Sequence, residues 1–116
     1  MKTTDLPAIL SCTPQYEGYA SKDVTGGYTS DLLSDVMSKA KEGNALVTIQ
    51  AHKNTIAVAS MLELSAVVIC NDRPIPQDMI DAARNENIPL FLTSRTQFEV
   101  SGRLYTAFRE KQENRA

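Results

Sequence analysis

The sequence predicts an α/β fold, a small three-layer domain whose mainly parallel four-stranded sheet is built from βα repeats, and three observations support this prediction. Short β-type runs start near Val24, Ala45, Ala66 and Pro89, and a helix-compatible segment follows each of them. The last three runs are nearly continuous in apolar residues, which is typical of strands that helices cover on both faces. Strands that alternate with helices are connected by right-handed crossovers, which make neighbouring strands parallel.

Length and composition indicate one globular domain. The 116 residues are enough to bury a core without disulfides or metals, and a net charge of −2 disfavours a nucleic-acid binder, which is usually basic. No apolar run approaches the length of a membrane span, and Cys12 and Cys70 do not form a Cys-x-x-Cys pair. We therefore expect a cytoplasmic protein with reduced cysteines that contacts neither nucleic acid nor a membrane.

The chain divides into three segments. Residues 1–22 form an N-terminal helix and an irregular lead-in, residues 23–110 form the α/β domain, and residues 111–116 are a charged tail. In the first segment we expect Asp5 to cap a short helix with Pro7 in its first turn, where proline is tolerated. The chain between this helix and the α/β domain is expected to be irregular or a short edge strand.

The first strand of the α/β domain runs from Val24 into a glycine pair, Gly26 and Gly27, and then into a helix. One interpretation of the pair is a bulge or tight turn that needs positive φ angles, which glycine adopts without steric cost. The other is close approach of a phosphate to the backbone beside the next helix N-terminus. Neither the P-loop nor the dinucleotide-binding glycine pattern is present, so the turn is favoured and the ligand interpretation stays open.

The first two helices differ in how much of their surface is apolar. A helix from Asp31 to Lys41 has one apolar face, and Gly43 ends it. A second helix over residues 55–64, with Asn54 as its cap, is apolar around its whole axis. Such a helix must be covered on more than one side, and in so small a domain we expect a second subunit to supply the second cover.

The last two helices complete the sheet's covering. Pro76 opens the third helix and Met79 points inward, while a capping box from Ser94 to Gln97 opens the fourth. The fourth helix carries two adjoining apolar stripes, one with Phe98, Gly102 and Tyr105 and the other with Val100, Leu104 and Phe108. Because this surface is wider than one sheet contact needs, it also enters the expected homodimer interface. The interface candidates are Val58, Met61, Leu62, Leu104 and Phe108.

Ligands of open parallel sheets lie beyond the carboxyl ends of the strands, where loops and helix N-termini converge. The groups expected there are hydroxyls, amides, one imidazole and guanidinium groups, which suit a small polar or phosphate-bearing ligand. We expect no metal, and we expect a nucleotide or another phosphate-containing ligand rather than a defined cofactor. The candidate ligand-binding residues are Thr25, Gly26, Gly27, Tyr28, Ser30, Gln50, His52 and Asn54.

Two side chains could carry chemistry, but each has a simpler interpretation. His52 is the only histidine and follows the second strand, where a general base or an anion contact would lie. No second histidine, neighbouring cysteine or Ser-His-acid order accompanies it, so a capping or surface role is favoured. Cys70 ends a buried strand, and we expect an inert thiol there.

The stretch around the glycine pair resembles a known family. The run from Asp23 to Gly27, Asp-Val-Thr-Gly-Gly, is similar to the signature of the DRTGG domain family, and the similarity continues through residues 49–52 and 102–105. The resemblance implies a fold related to the non-catalytic N-terminal domain of HPr kinase and an accessory or regulatory module that works beside an enzyme or signalling protein. Val24 replaces the family's arginine, so an anion contact made by that arginine does not carry over.

Three functions from different classes follow. The first is a non-enzymatic regulatory or ligand-sensing module that acts as a homodimer, with its ligand at the carboxyl ends of the strands. The second is a protein–protein adaptor without a small-molecule site, and the third is a small enzyme that uses His52 as a general base. The missing catalytic set and the resemblance favour the first.

Overall fold

A five-stranded sheet forms the middle layer of the protein. The structure, a computed structural model, describes residues 1–115. In spatial order the strands are β1 (Thr13–Pro14), β5 (Leu90–Leu92), β4 (Ala66–Ile69), β3 (Asn44–Thr48) and β2 (Gly26–Thr29). Strands β2 to β5 are parallel, and β1 is antiparallel to β5. The predicted α/β class is confirmed, but the sheet is mixed and has five strands, not four.

The additional strand, β1, is a two-residue edge. Its Pro14 lies opposite Phe91 of β5, and the amide of the following Gln15 donates a hydrogen bond to the Leu90 carbonyl over 2.8 Å. Two residues are too few to show an alternating pattern, so the strand exists only through its contact with β5. Proline has no amide hydrogen, so β1 offers one backbone donor fewer along the outer side of the sheet.

Helices cover both faces of the sheet. They are α1 (Leu6–Leu10), preceded by a 3₁₀ turn (Thr3–Asp5), and α2 (Leu33–Lys39), α3 (Lys53–Met61), α4 (Gln77–Glu86) and α5 (Gln97–Arg115). Strands β2 to β5 follow one another in order, so each right-handed crossover puts its helix on the same face, where α2, α3 and α4 lie. Helix α5 crosses to the other face and packs there with α1.

Each face has its own apolar core. On the first face, residues of β3 and β4 pack against Val36, Ile56 and Met79 of the three helices. On the second, Phe91 of β5 is fully buried beneath the face that α1 and α5 cover. Since successive residues of a strand point to opposite faces, the continuous apolar runs of β3 and β4 supply both cores.

The glycine pair lies inside β2 and not in a turn. Gly26 and Gly27 pair with Asn44 and Ala45 of β3, and neither glycine has a positive φ angle. A Cβ atom on Gly27 would lie 2.6 Å from Cδ2 of Leu104 in α5. The predicted turn is therefore wrong, because glycine is required here by the close packing of a helix over the strand.

Two helix caps also differ from the prediction. His52, not Asn54, caps α3, because its Nδ1 accepts a hydrogen bond from the Asn54 amide over 3.0 Å. At α5, Thr96 and Glu99 form a reciprocal capping box in which each side chain accepts the other's amide over 3.2 Å. The box predicted from Ser94 was placed two residues early, because both positions carry a hydroxyl followed three residues later by Gln or Glu.

Helices α1 and α4 begin close to their predicted residues, but the cap predicted for α1 does not form and α2 begins later than predicted. Pro7 lies in the first turn of α1, but the Asp5 carboxylate accepts the Lys2 amide over 2.8 Å and does not cap the helix. Pro76 directly precedes α4, and Met79 is buried as predicted. Helix α2 is shorter than its predicted range of residues 31–41, because the residues before Leu33 form the connection that holds β2 to β3.

Candidate functional site

The carboxyl ends of β2 and β3 meet at Asp31. Its Oδ1 accepts three hydrogen bonds, each 2.9 Å long, from the Thr48 hydroxyl, the Ile49 amide and the Gln97 side-chain amide. Its carbonyl accepts a fourth from Gln50 Nε2 over 2.8 Å. Asp31 therefore ties two strand ends to the start of α5, and the chain's own side chains fill the space between these strand ends. The predicted ligand residues did not include Asp31.

Tyr28 and Ser30 precede Asp31 in the chain, and their hydroxyls bond to the first turn of α2 and to the connection before it. The Tyr28 hydroxyl donates to the Asp35 carboxylate over 2.7 Å, and the Ser30 hydroxyl accepts the Leu32 amide over 3.2 Å. The bond between Tyr28 and Asp35 lowers the pKa of the Asp35 carboxyl and raises the pKa of the Tyr28 hydroxyl. The local chain therefore already uses the hydroxyls of both predicted ligand residues.

Three exposed polar side chains follow β3 and surround the start of α3. They are Gln50, His52 and Asn54, and the Thr55 hydroxyl closes their loop by donating to the Gln50 carbonyl over 2.8 Å. Because His52 Nδ1 accepts the Asn54 amide, the neutral imidazole that makes this bond carries its proton on Nε2. With Ser30 and the Asp31 network, this group is the part of the predicted ligand site that the structure brings together.

Thr25, Gly26 and Gly27 lie at the other end of β2. At a rise of roughly 3.3 Å per residue, about 13 Å of strand separates Gly26 from Ser30. The Thr25 hydroxyl donates to the Glu42 carbonyl over 2.9 Å, at the amino end of the sheet. The structure thus divides the eight predicted ligand residues into two groups that one small ligand does not span.

The cysteines are poor candidates for chemistry. Both are free and buried, and desolvation raises the pKa of Cys12 to about 12 and that of Cys70 to about 11. A thiol with so high a pKa is almost entirely protonated near neutral pH and is a weak nucleophile. Among the side chains that the structure describes, no three His, Cys, Asp or Glu residues converge as a metal site would require.

Of the five predicted interface residues, the structure buries two inside the chain. Val58 is 8% exposed in the core between α3 and the sheet, and Leu104 is 3% exposed over β2. Leu62 and Phe108 are half-buried, and Met61 is 67% exposed. Helix α4 packs along α3, so a neighbouring helix of the same chain supplies the second cover expected from another subunit.

An apolar groove runs between β2 and α5, away from the strand ends. Its volume is about 620 Å³, and we call it the β2–α5 groove. The rings of Phe98 and Tyr105 stand on its rim, 88% and 64% exposed. Two of the predicted interface residues, Leu104 and Phe108, line this groove, whereas Phe98 and Tyr105 were not among the five candidates. The spacing of Phe98, Gly102 and Tyr105, four and then three residues apart, was the sequence signal for this surface.

A polar pocket of about 510 Å³ lies at the amino ends of the strands. Its lining includes Glu42, Glu63 and Glu86, and the Ser60 hydroxyl donates to the Glu86 carboxylate over 2.9 Å. A hydrogen bond shared with Glu63 raises the pKa of the Glu42 carboxyl. The acidic lining makes this pocket unsuited to a phosphate-bearing ligand.

Comparison of the sequence with protein families and with curated proteins finds no match. Among solved structures, the chain is similar to the crystal structure of the CBS and DRTGG domains of the regulatory region of Clostridium perfringens pyrophosphatase, complexed with its activator, diadenosine tetraphosphate. The TM-score is 0.66 at 17% sequence identity, over 88% of this chain and 44% of that one. This chain thus spans less than half the length of its structural neighbour, and the likeness is one of fold.

The described residues contain no helix that is both long and apolar enough to cross a lipid bilayer.

Proposed function

We propose that this chain is a non-catalytic regulatory module of the DRTGG type, which acts as a homodimer in the cytoplasm and senses a small phosphate-bearing ligand. The observation that carries the proposal is the polar group around the start of α3, formed by the exposed side chains of Gln50, His52 and Asn54 and by the half-buried Ser30 beside the Asp31 network. Fold similarity to a regulatory region supports the regulatory role, and two free cysteines suit a reducing compartment.

The use that the fold makes of its reactive groups supports a non-catalytic role. His52 Nδ1 is engaged in capping α3, and no described hydrogen bond joins the imidazole to a serine, threonine or cysteine. Nucleophilic catalysis needs a base within hydrogen-bond reach of the nucleophile. Cys70, the nearest thiol in the sequence, is buried and protonated. These contacts disfavour the enzyme hypothesis.

The choice of ligand class rests on the donors at the site. Side-chain amides, a hydroxyl and an imidazole next to the first turn of a nine-residue helix can all donate hydrogen bonds to phosphate oxygens. The structural neighbour binds diadenosine tetraphosphate, so this compound is a suitable first probe. Because this chain covers 44% of that protein, the probe panel also includes ATP, AMP, acetyl phosphate and inorganic phosphate.

A thermal-shift titration tests the ligand part of the proposal. At one hundred times its dissociation constant, a ligand stabilises the fold by about 2.7 kcal/mol, which raises the melting temperature by several degrees. We expect one nucleotide probe to produce this shift in the wild type and to lose it in His52→Ala. His52→Asn is the matched variant, because asparagine still caps a helix but has no imidazole. Loss of the shift in both variants assigns the contact to the imidazole, whereas an unchanged shift in both removes His52 from the site.

A protein–protein adaptor is the second candidate, and two observations favour it. Gln50 and Gln97 fill the space beside Asp31, and the β2–α5 groove is apolar and accessible. If every probe leaves the melting temperature unchanged, the adaptor role replaces ligand sensing.

A further inference from the structure

We propose that the β2–α5 groove is the contact surface for a second copy of this chain, with β2 pairing antiparallel to its counterpart across a two-fold axis while α5 packs on its counterpart. This inference rests on the homodimeric part of the proposed function and deepens it. It moves the interface from α3, where the sequence pattern places most of it, to the open edge of the sheet.

The backbone of β2 has amides and carbonyls that can form such a pair. The Ser30 amide donates to the Val47 carbonyl of β3 over 3.2 Å, so the amides and carbonyls of Gly27 and Thr29 point away from β3. An antiparallel pair centred on Tyr28 sets Gly27 opposite Thr29 of the other copy and forms four backbone hydrogen bonds. The residues of β2 include no charge and no proline, the features that usually block edge pairing.

The same two-fold axis suits α5. The hydroxyls of Thr29 and Ser101 lie 2.6 Å apart, and Gly27 lies against Leu104, so the part of α5 from Ser101 to Leu104 lies over β2. An axis through Tyr28 therefore passes close to Ser101 and Gly102. Antiparallel packing about that point places Phe98 of one copy against Tyr105 of the other, because the two rings are equally far along the helix on either side of it.

The spacing between the two helices is also suitable. Helix α5 contacts both β2 and β3, so its axis lies above the space between these strands. Strands are about 4.8 Å apart, which places the two α5 axes roughly 10 Å apart across the symmetry axis. Packed helices are typically about 8–10 Å apart. Pairing of the strands thus brings the helices to contact distance without any change in the fold.

Gly102 provides an independent indication. A glycine inside a helix is less favourable than alanine by about 1 kcal/mol. A Cβ atom at Gly102 would meet nothing within 4 Å, so the isolated chain has no packing reason for glycine there. A second helix crossing at this point supplies that reason, since small residues allow helices to approach closely.

Charge and area agree with a second copy as the occupant. The residues that line the groove carry no charge, whereas Glu99, Arg103 and Glu110 lie on the neighbouring side of α5 near Ile9 of α1. The Arg109 guanidinium lies 6.0 Å from the centre of the Tyr105 ring at the rim. An aromatic side chain buries about 150–250 Å², so the four rings of two copies supply roughly 600 Å² at their present exposure. That is about half of the smallest area typical of a stable interface, and the paired strands and small residues between them add to it.

Sedimentation velocity over a concentration series tests the interface on the full chain. We expect the wild type to dimerise, and Phe98→Glu and Gly102→Gln to weaken the dimer by about 30-fold or more, as expected for central interface positions. Met61→Glu is the matched control, because Met61 is also a large exposed apolar residue but lies on α3, and it should leave the dimer unchanged. Gly102→Gln also improves helix propensity, so it should raise the melting temperature of the monomer and exclude misfolding as the cause.

The other possible results distinguish failure of the proposed interface from failure of the homodimer itself. A dimer that survives Phe98→Glu and Gly102→Gln overturns the interface and leaves the homodimer in place, and its loss in Met61→Glu would assign the interface to α3. A wild type that stays monomeric overturns the homodimer together with the interface, while the thermal-shift titration still decides ligand sensing. Binding of a β-strand peptide from another protein to a wild type that stays monomeric would overturn the self-contact and make the groove an adaptor site.

Discussion

Replacing Gly27 with alanine tests the closest contact between β2 and α5. The added Cβ would lie 2.6 Å from Leu104 Cδ2, so the Leu104 side chain, which is 3% exposed and lines the β2–α5 groove, must leave its present position. Overpacking of this kind typically costs about 1–3 kcal/mol. The lower backbone entropy of alanine in the unfolded chain returns roughly 0.5–1 kcal/mol. We therefore expect Gly27→Ala to destabilise the fold by about 1–2 kcal/mol.

A double-mutant cycle isolates the cause. Leu104→Ala alone should destabilise by about 2–5 kcal/mol, as for other buried leucines. In that background the alanine at position 27 meets no leucine, so Gly27→Ala should be neutral or stabilising by roughly 0.5–1 kcal/mol. The two substitutions are then coupled by roughly 2 kcal/mol, within the range for residues in contact.

Urea unfolding followed by circular dichroism measures all four variants. Each is made in the Phe98→Glu background, so that association of two copies does not contribute to the free energy of unfolding. A change in the urea midpoint at constant slope reports stability alone. If Gly27→Ala costs the same with and without Leu104, the close approach of α5 is not the reason for glycine in β2, and our account of the glycine pair is wrong.

Four further predictions concern two helix caps, one carboxyl group and the thiols. His52→Ala should lower the free energy of unfolding by about 1 kcal/mol through loss of the α3 cap, whereas His52→Asn should preserve it, as thermal unfolding without ligand would show. Thr96→Ala should cost about 1 kcal/mol, with Thr96→Ser as control, because it removes half of the α5 capping box. The bond from the Thr96 amide lowers the pKa of the Glu99 carboxyl, so its stabilising contribution is present above the ordinary carboxyl pKa and is lost as the pH falls through the lowered value. Unfolding scans should show less loss of stability on acidification in Glu99→Gln. Cys12 and Cys70 should react with a thiol reagent near neutral pH only as fast as the chain opens, and rapid labelling of the native protein would contradict their burial.

The sequence predicts the elements of this fold better than their contacts. Apolar runs and helical periodicity located β3, β4 and α4, because those signals arise from residues near one another in the chain. The role of Gly27 depends on Leu104, and the Asp31 network on Gln97, so neither is visible in a local pattern. The α5 cap was predicted at Ser94 and lies at Thr96, because the hydroxyls of both residues can form the same type of hydrogen bond.

The two edges of the sheet are chemically unequal, and this has a consequence for polymerisation. At one edge β1 has only two residues, and Pro14 withholds a backbone donor. At the other edge, β2 begins with two glycines, Gly26 and Gly27, which have no side chains to block pairing. A fibril of cross-paired sheets grows only if every molecule can accept a neighbour at both edges. When two molecules pair through β2, only their β1 edges remain open. Because β1 does not accept a further strand, the assembly stops at two copies and does not grow into a filament.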